Sequence, residues 1–134
     1  MSKFFKIAVI CFLSGCSTVK SFYVNNYDSN YYQLITEIRF MAQKNKSDCE
    51  NENLSYQNSI NLAEKTNFFQ MYTENIPNEV DMAVAVKELN NMINGLTEEY
   101  KSNQQTHATF CRIKFENIEN SAKNIQKILG ARPK

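Results

Sequence analysis

The sequence predicts an all-α protein, a small up-down four-helix bundle, with a long two-helix hairpin as the alternative. Three observations point there. Apolar residues recur at alternating spacings of 4 and 3 over residues 82–100, and again over 111–129, which is the period of a helix seam. Three glycines and two prolines in 134 residues leave few places for the chain to break. Alternating β-branched runs are scarce, which disfavours strands. Asparagine is common, so each helix is intrinsically weak and must be held by packing.

Residues 1–15 read as a signal peptide. Lys3 and Lys6 lead into the apolar run Ile7-Ala8-Val9-Ile10-Cys11-Phe12-Leu13, which closes on Ser14-Gly15-Cys16. The run is shorter than the roughly 20 residues that span a bilayer. Its order of basic, apolar and small residues is that of a cleaved signal. The box Leu13-Ser14-Gly15-Cys16 resembles the signal of bacterial lipoproteins, with Cys16 as the lipid-bearing residue. The resemblance implies a diacylated thiol, cleavage before Cys16 and a further acyl chain on the new amine. A single acyl chain binds a membrane only marginally, at about 0.8 kcal/mol per buried CH₂, whereas two or three hold firmly. An ordinary secretory signal with a chance cysteine is the alternative. Ser17 follows the cysteine where aspartate would imply retention in the inner membrane, so the resemblance implies an outer-membrane anchor with the domain facing the periplasm.

Without residues 1–15 the chain keeps 119 residues (134 less 15), enough for one domain with a core. It then carries 13 Lys and Arg against 14 Asp and Glu, a net charge of −1. A near-neutral chain has no long-range field to attract nucleic acid. Residues 16–28 form an expected lipidated tether, 29–130 a helical domain and 131–134 a tail. Polar turn-formers dominate the tether, interrupted by Phe22, Tyr23 and Tyr27. Those rings suit lipid headgroups or the lower edge of the domain.

The first helix should start near Asp28, Ser29 or Asn30, all good caps. Tyr31, Leu34, Ile35, Ile38, Met41 and Ala42 follow as one apolar stripe. The helix should fade in Lys44-Asn45-Lys46-Ser47-Asp48. Ser47-Asp48-Cys49-Glu50 has the spacing of a capping box and puts Cys49 at a helix junction. The second helix covers roughly residues 50–72, with Leu54, Ile60, Leu62, Ala63, Phe68, Phe69 and Tyr72 in poor periodicity. Asn75-Ile76-Pro77-Asn78 ends it, and Asn78 can cap the next helix with Asp81 in its first turn.

The third helix has the cleanest pattern, Met82, Val86, Leu89, Ile93, Leu96 and Tyr100, with Gly95 inside it. Lys101 to Thr106 is either a loop or an exposed helical turn. Cys111, Phe115, Ile118, Ala122, Ile125 and Leu129 form the fourth seam. Tyr100 and Cys111 are 11 residues apart, not a whole number of heptads, which marks a stutter or a turn. Gly130 is the expected stop, seconded by Pro133.

On the lipoprotein resemblance Cys11 leaves with the signal and Cys16 is acylated, which leaves Cys49 and Cys111 as a pair expected to face an oxidising compartment. There an even pair reads as a disulfide. In an up-down bundle the first and third connections share one end, and the two cysteines lie there. A hairpin turning near residue 77 would set Cys49 opposite Gln104, one heptad or roughly 10 Å from Cys111, too far to bridge. The bond therefore favours the bundle over the hairpin.

No catalytic constellation can be assembled. His107 is the one histidine, four residues before Cys111. A shared metal would need Cys49 as well and would still fall short of four ligands. Glu98-Glu99 and the Glu116/Glu119 pair are better read as solvated helix faces. The expectation is a non-enzyme with no metal and no cofactor beyond the acyl lipid on Cys16.

The arrangement also resembles the PulS-type pilotins of type II secretion. The features that match are the lipid box, a first amphipathic helix ending just before a cysteine, and a second cysteine in Phe110-Cys111-Arg112-Ile113-Lys114-Phe115-Glu116-Asn117. Leu96-Thr97-Glu98-Glu99-Tyr100 and the approach from Thr106 to Cys111 match the family loosely. The Leu-Pro that the family carries soon after its first cysteine is missing, and there is no tryptophan. The resemblance implies a small outer-membrane lipoprotein that captures a C-terminal segment of a secretin subunit in an apolar groove, where the segment folds as a helix. The expected groove wall is Leu34, Ile38 and Met41, the last a flexible side chain suited to a partner. Two other roles fit the same tether: a phage- or plasmid-type exclusion lipoprotein that blocks a surface receptor or channel, and a structural envelope lipoprotein.

Overall fold

The computed structural model describes residues 25–102 and 106–134. The signal peptide, Cys16, Phe22 and Tyr23 lie outside the described residues. Four helices account for most of the rest: α1 (Ser29–Asn45), α2 (Glu52–Glu74), α3 (Val80–Lys101) and α4 (Ala108–Gly130), with a 3₁₀ turn at Lys46–Asp48 between the first two. There is no strand among the described residues. Each helix packs on the next and α4 returns to α1, most extensively in the pairs α1/α4 and α2/α3. This is a four-helix bundle, and the breaks at 46–51 and after Lys101 exclude the two-helix hairpin.

Helices α2, α3 and α4 each carry six buried positions spaced 4, 3, 4, 3, 4, and α1 carries five. In α3 and α4 they are the twelve residues that the sequence pattern picks out, all buried. In α1 the seam is Tyr31, Ile35, Ile38, Ala42 and Asn45, and it continues past the 3₁₀ turn to Cys49. In α2 it is Ser55, Ser59, Leu62, Thr66, Phe69 and Thr73. Four of those six are hydroxyl residues, so hydropathy hides the seam. Their hydroxyls stay buried because they donate to carbonyls of the same helix: Thr66 to Leu62 at 2.8 Å, Thr73 to Phe69 at 2.8 Å and Ser59 to Tyr56 at 2.7 Å. Ser55 donates to Asn51 and reaches back to Asp48. A satisfied hydroxyl can be buried at little cost. Leu54 and Phe68, expected on the buried stripe, are exposed instead.

Local signals explain most helix ends, and two expectations are corrected. Asp28 caps α1 by accepting from the Asn30 and Tyr31 amides at 2.8 and 3.1 Å. The capping box at Ser47 does not form. Ser47 donates to Lys44, and α2 is capped by Asn51, whose side chain accepts from Leu54. Asn78 does not cap α3. It takes a left-handed φ of 63° in the turn after α2, a conformation asparagine tolerates better than most residues, and Glu79 stands at the cap without a side-chain capping bond. Helix α4 ends at Gly130 as expected, without a left-handed turn, since no described glycine has positive φ. Gly130 is needed for space: a Cβ there would sit 2.9 Å from Cε2 of Tyr32 on α1.

The up-down order gives the bundle two distinct ends. At one, Cys49 and Cys111 are bonded, with Cα atoms 5.7 Å apart. Arg112–Glu50 and Lys46–Glu119 ion pairs flank the bond from α4 to the first connection. The other end, here called the foot, holds the start of α1, the α2–α3 turn and the end of α4. Polar groups lace it together. The Arg132 guanidinium donates to both carboxylate oxygens of Glu79, with Nη2 to Oε2 at 2.9 Å. Asn25 donates to the same carboxylate and to the Pro77 carbonyl. The Tyr27 amide donates to the Pro133 carbonyl at 2.7 Å, and the Tyr27 ring packs on Tyr32 at 5.7 Å. The chain expected as the end of a tether and as a tail is thus fixed to the bundle at Asn25, Tyr27, Arg132 and Pro133.

Candidate groove between α1 and α2

The seam between α1 and α2 is looser than the two tight pairs. It opens into a surface groove of about 280 Å³ lined by Asn30, Gln33, Leu34, Glu37, Phe68 and Tyr72. Leu34 is half-buried beside the α1 seam, and Phe68, on α2, is 56 % exposed. More than half of the Phe68 side chain thus faces outward, in the same groove as the aliphatic side chain of Leu34.

The polar rim is already paired. Glu37 accepts from Lys65 across the seam and from Gln33 one turn before it. Those two hydrogen bonds outweigh the small cost of burial and hold its carboxyl below the usual range. At the foot end the Tyr72 hydroxyl donates to Asp28 at 2.7 Å. Burial alone would raise the Asp28 pKa. Hydrogen bonds from Tyr72, from the Tyr31 and Asn30 amides and the charge of Arg132 outweigh it and hold that carboxyl below its usual range. What the groove offers a ligand is therefore apolar surface inside a closed polar frame. None of its lining groups is a free nucleophile or an unpaired base.

The structure separates the three residues expected to form a groove wall. Ile38 is 0 % exposed and belongs to the core, because it occupies the α1 seam between Ile35 and Ala42. It is not a groove residue. Leu34 lines the groove. Met41 is half-buried one heptad further along the same face. Phe68 and Tyr72, read from sequence as core, supply the opposite wall. The signal that could have separated Phe68 from Phe69 was the hydroxyl seam: only Phe69 falls in register with Ser55, Ser59, Leu62 and Thr66.

Cys49 and Cys111 are joined as the cysteine pairing predicts. His107 stands at the cap position of α4, makes no capping bond and is exposed. Among the described residues no three His, Cys, Asp or Glu side chains converge as a metal site, and no helix is long and apolar enough to cross a membrane. The fold and its exposed seam define a class, a disulfide-closed four-helix bundle with an apolar inter-helix groove. Comparison with models of protein families, with curated proteins and with solved structures returns no match.

Proposed function

We propose that this chain is an envelope lipoprotein that docks a helical segment of a protein partner in the α1/α2 groove, in the manner of a pilotin. The observation that carries the reading is Phe68, more than half exposed beside Leu34 in an open seam. An amphipathic helix laid along such a seam buries anchor side chains at i, i+3, i+4 and i+7. Burying one aromatic or aliphatic anchor fully is worth about 1.5–3 kcal/mol, so several such anchors must act together to exceed the cost of association. The lipid box at Cys16 supports the anchor, and the paired cysteines suit an oxidising compartment. The partner proposed is the C-terminal segment of a secretin subunit, which the lipid carries to the outer membrane.

The test is a titration of the protein with a peptide from the C-terminus of a secretin encoded beside it. Saturable binding with a gain of helical ellipticity is expected, and Phe68→Asp should abolish both. No change in ellipticity at high peptide excess would rule the pilotin role out.

A further inference from the structure

The apolar stripe beside the α1/α2 groove begins at an acid that has no counter-charge. Glu64, Phe68 and Met71 follow on α2 at spacings of 4 and 3, so they stand on one outward face of the helix. All three are exposed, Phe68 to 56 % and Met71 to 65 %. Glu64 lies one helical turn, about 6 Å, before the phenylalanine. Among the described residues no cation pairs with it.

The neighbouring cations are engaged or distant. Lys65 is the only cation of α2, and it forms an ion pair with Glu37 across the seam. On α1, Arg39 donates to Gln126 of α4 at 2.8 Å, and Lys44 stands in the last turn, one heptad or about 10 Å beyond Glu37. At the foot end Asp28 holds a further carboxylate against Tyr72, which lines the groove. The carboxylates of Asp28, Glu37 and Glu64 thus border the groove against the single ammonium of Lys65.

We infer that the segment docked in this groove is a basic amphipathic helix, with a lysine or arginine one turn from an apolar anchor that covers Phe68. The inference rests on the reading of the α1/α2 groove as a helix dock. The anchor answers the exposed Phe68 ring, and the charge answers Glu64. A carboxylate at that place in the partner would meet Glu37 and Glu64 with Lys65 already shared, and like charges set against each other across an interface are costly. An uncharged residue would cover Glu64 without supplying a counter-ion, which leaves its carboxylate desolvated and unpaired. A cation pairs with it at the rim, where charge sets specificity and the rate of encounter. Met71, unbranched and flexible, lets the apolar part of the stripe adapt to the anchor.

The test uses two designed helical peptides with the same apolar anchors at i, i+3 and i+7, one flanked by lysines and the other by glutamates. Each is titrated into the full chain and followed by calorimetry. At low salt the lysine peptide is expected to bind about fivefold tighter, the scale of one exposed ion pair. That ratio should fall towards one as salt is raised from about 0.01 to 1 M and the Debye length shrinks from about 30 to 3 Å. Glu64→Lys should remove or invert the preference with an unchanged far-ultraviolet circular dichroism spectrum. Should Glu64→Lys fail to fold, Glu64→Gln serves in its place and should remove it. Phe68→Ser should weaken the lysine peptide whatever the salt. Equal affinities, a tighter glutamate peptide or no binding of either would overturn the inference. So would a preference indifferent to Glu64, or binding indifferent to Phe68. The secretin peptide keeps the two readings apart. If it fails while the lysine peptide binds through Phe68 and Glu64, the pilotin role falls and the basic-helix surface stands. If it binds equally well at low and high salt and to Glu64→Lys, the pilotin role stands and the inference falls.

Discussion

Arg132 grips Glu79 through both of its guanidinium forks, with side chains only 10 % and 4 % exposed, and so locks the last residues of the chain to the turn between α2 and α3. The Arg132 guanidinium also lies 5.6 Å from the Tyr31 ring, in cation–π range. Removing one partner strands a charge that is almost buried, which costs about 3 kcal/mol. Arg132→Ala and Glu79→Ala should each lower the unfolding free energy from urea titration by about that amount, and the double substitution should cost clearly less than the sum. Additive losses would show that the two side chains do not act as a unit.

Acid should loosen the same end. The Asp28 carboxyl is held below its usual range in the folded protein, so its contribution is complete above the unfolded value and is lost as the pH falls through the folded one. Stability should therefore drop as the pH is lowered from about 5 towards 2, and Asp28→Asn should flatten part of that slope. The measurement is the urea midpoint against pH for both proteins. Equal slopes would contradict the assignment.

Reduction of the Cys49–Cys111 bond should destabilise the bundle by roughly 4 kcal/mol, the chain-entropy value for a closed loop of this length. The bond closes 62 residues of separation across α2 and α3. Thermal melts with and without reductant, and of Cys111→Ser, measure it. Identical melts, or two free thiols in the purified protein, would contradict it.

The hydroxyl seam of α2 gives a sharper prediction. Thr66→Val keeps the shape and removes a hydroxyl that donates to the Leu62 carbonyl of its own helix. It should change stability by less than about 1 kcal/mol, or raise it. Thr66→Ala opens a cavity and should cost about 1 kcal/mol or more.

The two helical glycines should part company. Gly95→Ala meets nothing within 4 Å and should gain about 1 kcal/mol from helix propensity. Gly130→Ala has the same intrinsic gain, but its Cβ would press on the half-buried Tyr32 ring, which itself packs at a tilt on Tyr27. Its net effect should be near zero or unfavourable. Chemical denaturation of both variants decides it.

How much of this was legible in the chain depends on what fills each seam. Helices α3 and α4 were readable residue by residue, because every seam position is apolar or cysteine. Helix α1 was readable in outline, but Leu34 and Met41 flank a seam that ends in Asn45 and Cys49, so the stripe looked wider than the core it fills. Helix α2 was opaque. Ser55, Ser59, Thr66 and Thr73 are buried through bonds to their own helix, which hydropathy scores as solvent-facing, while Phe68 and Leu54 face water. The groove was half legible for the same reason: Leu34 stood out, and Phe68 was hidden among apparent core residues. Nothing local announced the foot, because Arg132, Glu79 and Asn25 meet only after the whole chain has folded.

The claim on which the account depends most is the lipid at Cys16. The direct measurement is the mass of the amino-terminal peptide of the protein isolated from the membrane fraction of the cells that make it. The account predicts a chain that begins at Cys16 and carries the mass of a diacylglyceryl group on its thiol. A water-soluble chain with an unmodified Cys16 and residues 1–15 still attached would contradict it.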